Sequence, residues 1–320
     1  METIALNNNH REALVRTSKS SFIEGNTLPV SLEEIQRDHV IPVFVKDNEP
    51  AISHAEFIEI VSQAAEDMFG AQQISPEIRV SHPIKGRTPD ARSKRAAELQ
   101  DHEKTLYYER MAFVLELNNL QQNIDGNLLK LTISGVKSYH EDNFSNSKGV
   151  DEHFKVAIGF KNTVCTNLCI WTDGFSESIT ARSSEELYNK VIELAKKYEA
   201  VTHISHLQRF SELSLTEKQF AQLLGRCRLY NYLAPEEKKI IPEVRMTDTQ
   251  IGKVAEQFYK DPNFRVQNNQ INLWRLLNLF TGSNKSSYID TFLSRGANAH
   301  DFILQLAEAL ENNHQSWFLN

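Results

Sequence analysis

The sequence predicts an α+β protein: an antiparallel sheet with a packed helix in the N-terminal half, followed by an all-helical bundle in the C-terminal half. Three observations predict it. A helical-period apolar face runs from Phe57 to Met68, between a capping signal and a glycine. Alternating apolar segments separated by turn signals follow, from Tyr107 to Ala181. From Ser183 onward the apolar spacing is helical throughout.

The elements follow in order. Residues 1–50 are polar and weakly patterned and read as a loosely ordered arm. Ser31 and Glu34 mark a short helix start. The run Val40–Val45 contains Pro42, which restricts it to an edge strand. In residues 51–182, the pair Ser53 and Glu56 opens a helix with Phe57, Ile58, Ile60, Val61, Ala64, Ala65 and Met68 on one face, and Gly70 ends it. Glu77–Val80 is short and extended, and Tyr107–Leu117 reads as one strand. Asp125-Gly126 is a hairpin turn before the alternation of Leu128–Ile133. In His153–Phe160, Phe154, Val156 and Ile158 share one face, with Lys155, Ala157 and Gly159 on the other. Thr163–Trp171 is the next strand, Asp173-Gly174 a turn, and Ser176–Ala181 closes an antiparallel meander.

In residues 183–320, Ser183 and Glu186 cap a helix with its seam at positions 187, 191, 194, 198 and 201. Ser214 with Glu217 and Thr247 with Gln250 cap two more. Ile271–Phe280 is stopped by Gly282, Ser286–Leu293 by Gly296, and Asn298 with Asp301 opens the last. The apolar tail Trp317–Leu319 packs back on the bundle.

Composition narrows the function. The formal net charge is −7, so nucleic acid or an anionic membrane is attracted only through a local patch. No apolar run approaches the ~18 residues a membrane span needs. Met1–Arg16 lacks the apolar stretch of a signal peptide, and three cysteines suit a reducing compartment, so a cytoplasmic location is expected.

The local patch is the stretch Arg79–Arg95, where Arg79, Lys85, Arg87, Arg92, Lys94 and Arg95 stand against Asp90 alone. Pro83, Gly86 and Pro89 make part of it a loop. Arginines with free backbone amides hold phosphates, and Lys85, Arg87, Arg92 and Arg95 are the candidate contacts. The alternative is a solvated face paired with Glu98–Glu103. Arg226, Tyr230 and Tyr232 interleave cations with rings, as single-strand binders do; the alternative is a helix end whose tyrosines are core.

A second constellation is His140, Asp142, Asp151 and His153, which flank a polar loop and suit a divalent-metal nuclease. Glu199, His203 and His206 lie on one helical arc, opposite the apolar seam, and so point to solvent rather than to a metal. Cys165 and Cys169 on one strand stand ~13 Å apart at ~3.3 Å per residue, too far for one ion. Gly282–Ser286 lacks the glycine before lysine of a phosphate loop, and no cofactor is expected. Asn278 is a polar residue in an apolar helix and bonds a partner group.

Several stretches carry a resemblance: Val80–Arg87, Thr105–Arg110, Asp151–Lys155, Val164–Gly174, Ser214–Ala221, Asn272–Gly282 and Trp317–Asn320. Together they resemble an uncharacterised family of unknown function from gut Bacteroidetes and their phages and conjugative elements, over roughly residues 30–320. The chain is more loosely similar to a broader group of phage- and plasmid-borne proteins, which carry a comparable Cys-x-Asn motif and a Trp…Asn helix. The resemblance implies mobile DNA and the proteins that handle it, with no catalytic residue to carry over. The expected function is single-stranded DNA binding or annealing. A metal-dependent nuclease and a protein-interaction module, such as a host-defence inhibitor with a host or phage partner, are the alternatives.

Overall fold

The computed structural model describes residues 21–38, 52–70, 75–91, 93–142, 151–264, 270–312 and 314–320. In chain order, β1 (Leu28–Val30) leads to α1 (Leu32–Asp38) and α2 (His54–Phe69). They are followed by β2 (Glu77–Val80), β3 (Pro83–Arg87), β4 (Lys104–Tyr108), β5 (Arg110–Ile124) and β6 (Asn127–Ser138). The one-turn α3 (Tyr139–Asp142), β7 (Glu152–Asn162) and β8 (Leu168–Ala181) complete this part. Then come α4 (Ser184–Lys197), α5 (Ala200–Glu212), β9 (Ser214–Leu215), α6 (Glu217–Tyr230), α7 (Pro235–Lys238) and α8 (Asp248–Lys260). The chain closes with β10 (Ile271–Asn272), α9 (Leu273–Asn284) and α10 (Ile289–Glu311). The α+β class holds, but the C-terminal half is not all-helical, because β9 and β10 pair antiparallel within it.

The local signals act as their chemistry requires. Ser53 accepts from the Glu56 amide, Glu56 accepts from the Ser53 amide, and Gly70 ends α2 at φ 60°, ψ 28°. Asp125 and Gly126 take positive φ, 47° and 78°, and turn β5 into β6. Thr247 and Gln250 form the same reciprocal cap on α8.

Six strands form one antiparallel sheet in the order β1-β2-β5-β6-β7-β8. Strand alternation gives it two apolar faces. Met111, Phe113, Leu115, Leu131, Ile133, Phe154, Val156 and Ile158 share a core with Phe57 and Val61 of α2 and Leu187 and Val191 of α4. That core runs on without a break into Leu223, Val254, Leu277 and Phe302 of the C-terminal helices. The other face carries Ala112, Val114, Val136, Ala157 and Ile170, packed against Ile289, Phe292, Leu293 and Ala297 of α10. The sheet is therefore sandwiched, and one core crosses residue 182.

Several expectations are corrected. The described part of the N-terminal arm is not loose: Phe22 and Ile23 are buried on the second sheet face. Val40–Val45 lies outside the described residues. The strand expected over Tyr107–Leu117 is split at Glu109 between β4 and β5. Asp173-Gly174 is no turn but part of a bulge, because β8 pairs Phe175 with Ala157 and Ile170 with Gly159, leaving 171–174 opposite Ile158. The segment 163–167 is a turn, so Cys165 and Cys169 do not share a strand. The cap of α6 is Thr216 with Gln219, since Ser214 is drawn into β9 beside β10.

Gly282 and Gly296 stop nothing. Both lie inside helices, and the two helices expected around Gly296 are one, α10. A Cβ at position 296 would sit 3.3 Å from Ile170 Cδ1, so this glycine lets the helix lie close on β8. The tail packs back as expected, with Phe318 buried against Phe302 at 4.8 Å.

Candidate nucleic-acid interface

β3 and β4 pair only with each other and form a two-stranded ribbon apart from the main sheet. Its root is fixed in the core. Tyr107 and Tyr108 are buried, the Tyr108 carbonyl is 2.7 Å from His54 Nε2, and the Ser81 amide bonds the Arg110 carbonyl at 2.9 Å. Its far end is closed by the Thr88 amide on the Glu103 carbonyl, 2.8 Å.

The register pairs Lys85 with Leu106 and Arg87 with Lys104. With a two-residue period, positions 85, 87 and 104 fall on one ribbon face. Like charges directly opposite one another on a strand pair are destabilising. Lys85 is exposed, and Lys104 bonds Asp101 at 2.7 Å in the open. The side chain of Arg87 lies outside the described residues.

The basic stretch is not a loop, because Pro83–Arg87 is strand. Nor do its cations form one patch. Arg79 turns inward, donating to Thr27 Oγ1 at 3.0 Å and the Thr27 carbonyl at 2.8 Å, and burial lowers its pKa. Lys94 is held by Glu103, whose carboxyl it keeps below its usual range. Arg95 is exposed, and Arg92 lies outside the described residues.

A cleft of about 490 Å³ opens at the foot of the ribbon, between Ser81–Ile84, Gly25–Thr27 and the start of α10. Arg110 reaches into its lining but is bound on both sides, by Glu109 and by Asp290. The Tyr288 ring, 70% exposed, stands at the cleft.

The α6 residues do not join this surface. Tyr230 is 6% exposed and packs 6.4 Å from Phe318, so its ring is core and cannot stack on a base. Arg226 lies 4.9 Å over the Trp317 ring, while Tyr232 is exposed.

Among the described side chains the nuclease constellation is not assembled. His140 is half-exposed with Nδ1 3.8 Å from Glu109 Oε1. Asp151 is bound by Arg182, which holds its carboxyl below the usual range. His153 is half-buried and paired along the backbone with Thr180, and the side chain of Asp142 lies outside the described residues. Among the described residues no group of three or more His, Cys, Asp or Glu side chains is placed to hold a metal ion.

The residues of the Cys-x-Asn and Trp…Asn motifs do meet. Asn278 Oδ1 accepts from Asn162 Nδ2 at 3.3 Å and Cys165 Sγ at 3.5 Å; Asn278 Nδ2 donates to the Trp274 carbonyl at 2.9 Å. Asn167 Nδ2 reaches the Asn278 carbonyl at 2.8 Å. Lys285 donates to the Cys165 carbonyl and, at 2.7 Å, to Thr166 Oγ1; burial lowers its pKa. These bonds pin the β7–β8 turn to α9, and burial raises the Cys165 thiol pKa.

His203 does not point to solvent. α4 ends at Lys197 and α5 begins at Ala200, so the helical phase resets and turns His203 into the core. Its Nδ1 is 2.7 Å from Tyr198 Oη, and its ring is 4.8 Å from that of His300, which sequence reading did not single out. His206 packs edge-on to Trp171 at 4.8 Å, while Glu199 bonds Thr202 at the helix start.

Residues 4–319 match a family described as "Domain of unknown function, B. Theta Gene description" (DUF3871), and the chain belongs to it. No curated protein and no solved structure matches the chain. Among the described residues no helix is long and apolar enough to cross a membrane.

Proposed function

We propose that this member of a family of unknown function binds single-stranded nucleic acid through one face of its β3–β4 ribbon, as an accessory protein of a phage or other mobile element. The observation that carries the reading is the register, which sets position 87 opposite Lys104 and two residues from exposed Lys85, so three cationic residues hold positions of one ribbon face. Phosphate attracts such cations, competing with exposed Asp101 for Lys104. In a chain of net charge −7 such a patch acts locally, so binding depends steeply on salt. Arg95 is exposed in the segment that joins β3 to β4 and is a further candidate contact.

The competing account is that lysines on a two-stranded ribbon only guard its open edges. The two accounts separate on Lys85→Glu with Arg87→Glu, measured by fluorescence anisotropy against a labelled single strand over a salt series. Phosphate contact predicts a loss of at least about tenfold and a shallower salt slope, by roughly 0.7 for each lost contact. Unchanged affinity leaves edge protection as the role of these charges. No binding by the unaltered protein removes nucleic acid as the ligand and turns the search to a protein partner.

A further inference from the structure

The cleft at the ribbon's foot differs in chemistry from the ribbon itself. Pro83 and Ile84 of β3 line it, so it begins within two residues of Lys85. Its one guanidinium, Arg110, is bound by both Glu109 and Asp290, which leaves the trio with a net negative charge. Carboxylates repel phosphate, so the sugar–phosphate backbone has no reason to enter. An uncharged ring with donor groups on its edge has. The volume, about 490 Å³, is that of a small-molecule site. The floor is tight: a Cβ on Gly25 would lie 2.6 Å from the Ser287 carbonyl oxygen, so the β1 approach is pressed against the α9–α10 connection.

Tyr288 is the second observation. It precedes the first turn of α10 without capping it by its side chain, and its ring is 70% exposed at the cleft. Tyr107, Tyr108, Tyr139, Tyr198 and Tyr230 are buried; Tyr232 and Tyr259 are exposed as Tyr288 is, but neither lines this cleft. An exposed ring over a donor-accepting cleft, beside a cationic ribbon, is the arrangement that stacks a base while its phosphates lie on the cations.

We infer that this cleft is a subsite for one unpaired nucleobase, stacked on Tyr288, with the flanking phosphates on the β3–β4 ribbon. The inference rests on the ribbon reading for the phosphates and adds the reason for choosing single strands: a base in a duplex has no free face to give to Tyr288.

The test uses the full chain with a fluorescein-labelled oligonucleotide, free or annealed to its complement. Tyr288→Ala is expected to weaken single-strand binding roughly tenfold, as loss of one stacked base does. Tyr288→Phe keeps a ring and is expected to bind as the unaltered protein does. The salt slope stays unchanged in both, since no phosphate contact is removed, and duplex binding is unaffected. The exposed position makes both variants safe for folding, which thermal melting verifies. If Tyr288→Ala binds single strands as tightly as the unaltered protein while the Lys85/Arg87 reversal weakens them, the base subsite is wrong and the ribbon reading stands. If the reversal changes nothing and Tyr288→Ala weakens binding, the ribbon reading is wrong and the cleft remains. If the unaltered protein binds neither form, both are overturned.

Discussion

Lys137 Nζ, on a side chain with no exposed surface, is bonded to Glu152 Oε2 and lies 4.1 Å from the centre of the Phe154 ring. Glu152 also accepts the Ile52 amide at 2.7 Å, so one carboxylate ties β6, β7 and the entry to α2 together. Removing one member of a buried pair takes a charge-balancing partner from the other. Glu152→Ala is expected to destabilise the protein by about 3–5 kcal/mol. Urea unfolding measures it. The double change Lys137→Met with Glu152→Leu restores most of the loss, because neither charge then remains in the core. A double variant no more stable than Glu152→Ala would contradict this account.

The histidines at the α5–α10 contact predict a distinct pH dependence. Burial pushes His203 down to about 3 and His300 well below its ordinary range, and His206 is lowered by burial and by Arg209. Tyr198, Asp173, Glu308 and Arg209 are the other polar groups facing them. A group whose folded pKa is depressed stays neutral in the fold while its unfolded counterpart takes a proton. Stability is therefore full above the unfolded value of 6.5 and falls as pH drops towards about 3 for His203. The slope is about 1.4 kcal/mol per pH unit for each such histidine. Carboxylates such as Glu103 and Glu311, lowered from 4.5 by Lys94 and Arg209, add their own loss only below that value. Unfolding free energy measured between pH 6.5 and 4.5 isolates the histidines, and a flat profile there would count against their burial.

Asn278 predicts what the turn-to-helix network is for. Asn278→Ala removes the acceptor of Asn162 and Cys165 in a buried setting. The expected loss is about 1–3 kcal/mol, read by thermal or urea unfolding, with nucleic-acid affinity of the folded variant unchanged. An affinity loss at unchanged stability would make the network part of a binding site instead.

The elements with strong local signals were legible in the sequence. α2 has a capping box, an apolar stripe and a terminal glycine, and these suffice because each is satisfied within a few residues. The β5–β6 hairpin is legible for the same reason, through Asp125-Gly126. The bulge at Trp171–Gly174 was not, since Asp-Gly is also the signature of a turn, and only the pairing with β7 decides between them. Gly296 misled similarly. Its local meaning is a helix end, but its partner is Ile170 on a strand far away in the chain.

The candidate site was half legible. Lys85 and Arg87 were visible as charges, but their companion Lys104 was hidden, because only the strand register brings it opposite Arg87. Tyr230 looked like a stacking ring because helical spacing shows which residues share a face, not what covers that face. Tyr288 carried no local signal at all.

By itself the sequence determined the α+β class, the Asp125-Gly126 hairpin turn, the N-terminal caps of α2, α4 and α8, and the absence of bulk positive charge. These are properties of short windows, set by backbone sterics, side-chain periodicity and counting. Only the tertiary structure decided that α10 covers the second sheet face, that one core crosses residue 182, and that His203 meets His300. It alone placed Tyr288 beside Arg110 and the ribbon. Such contacts join residues far apart in the chain, and which distant surfaces meet depends on shape and burial summed over the whole molecule.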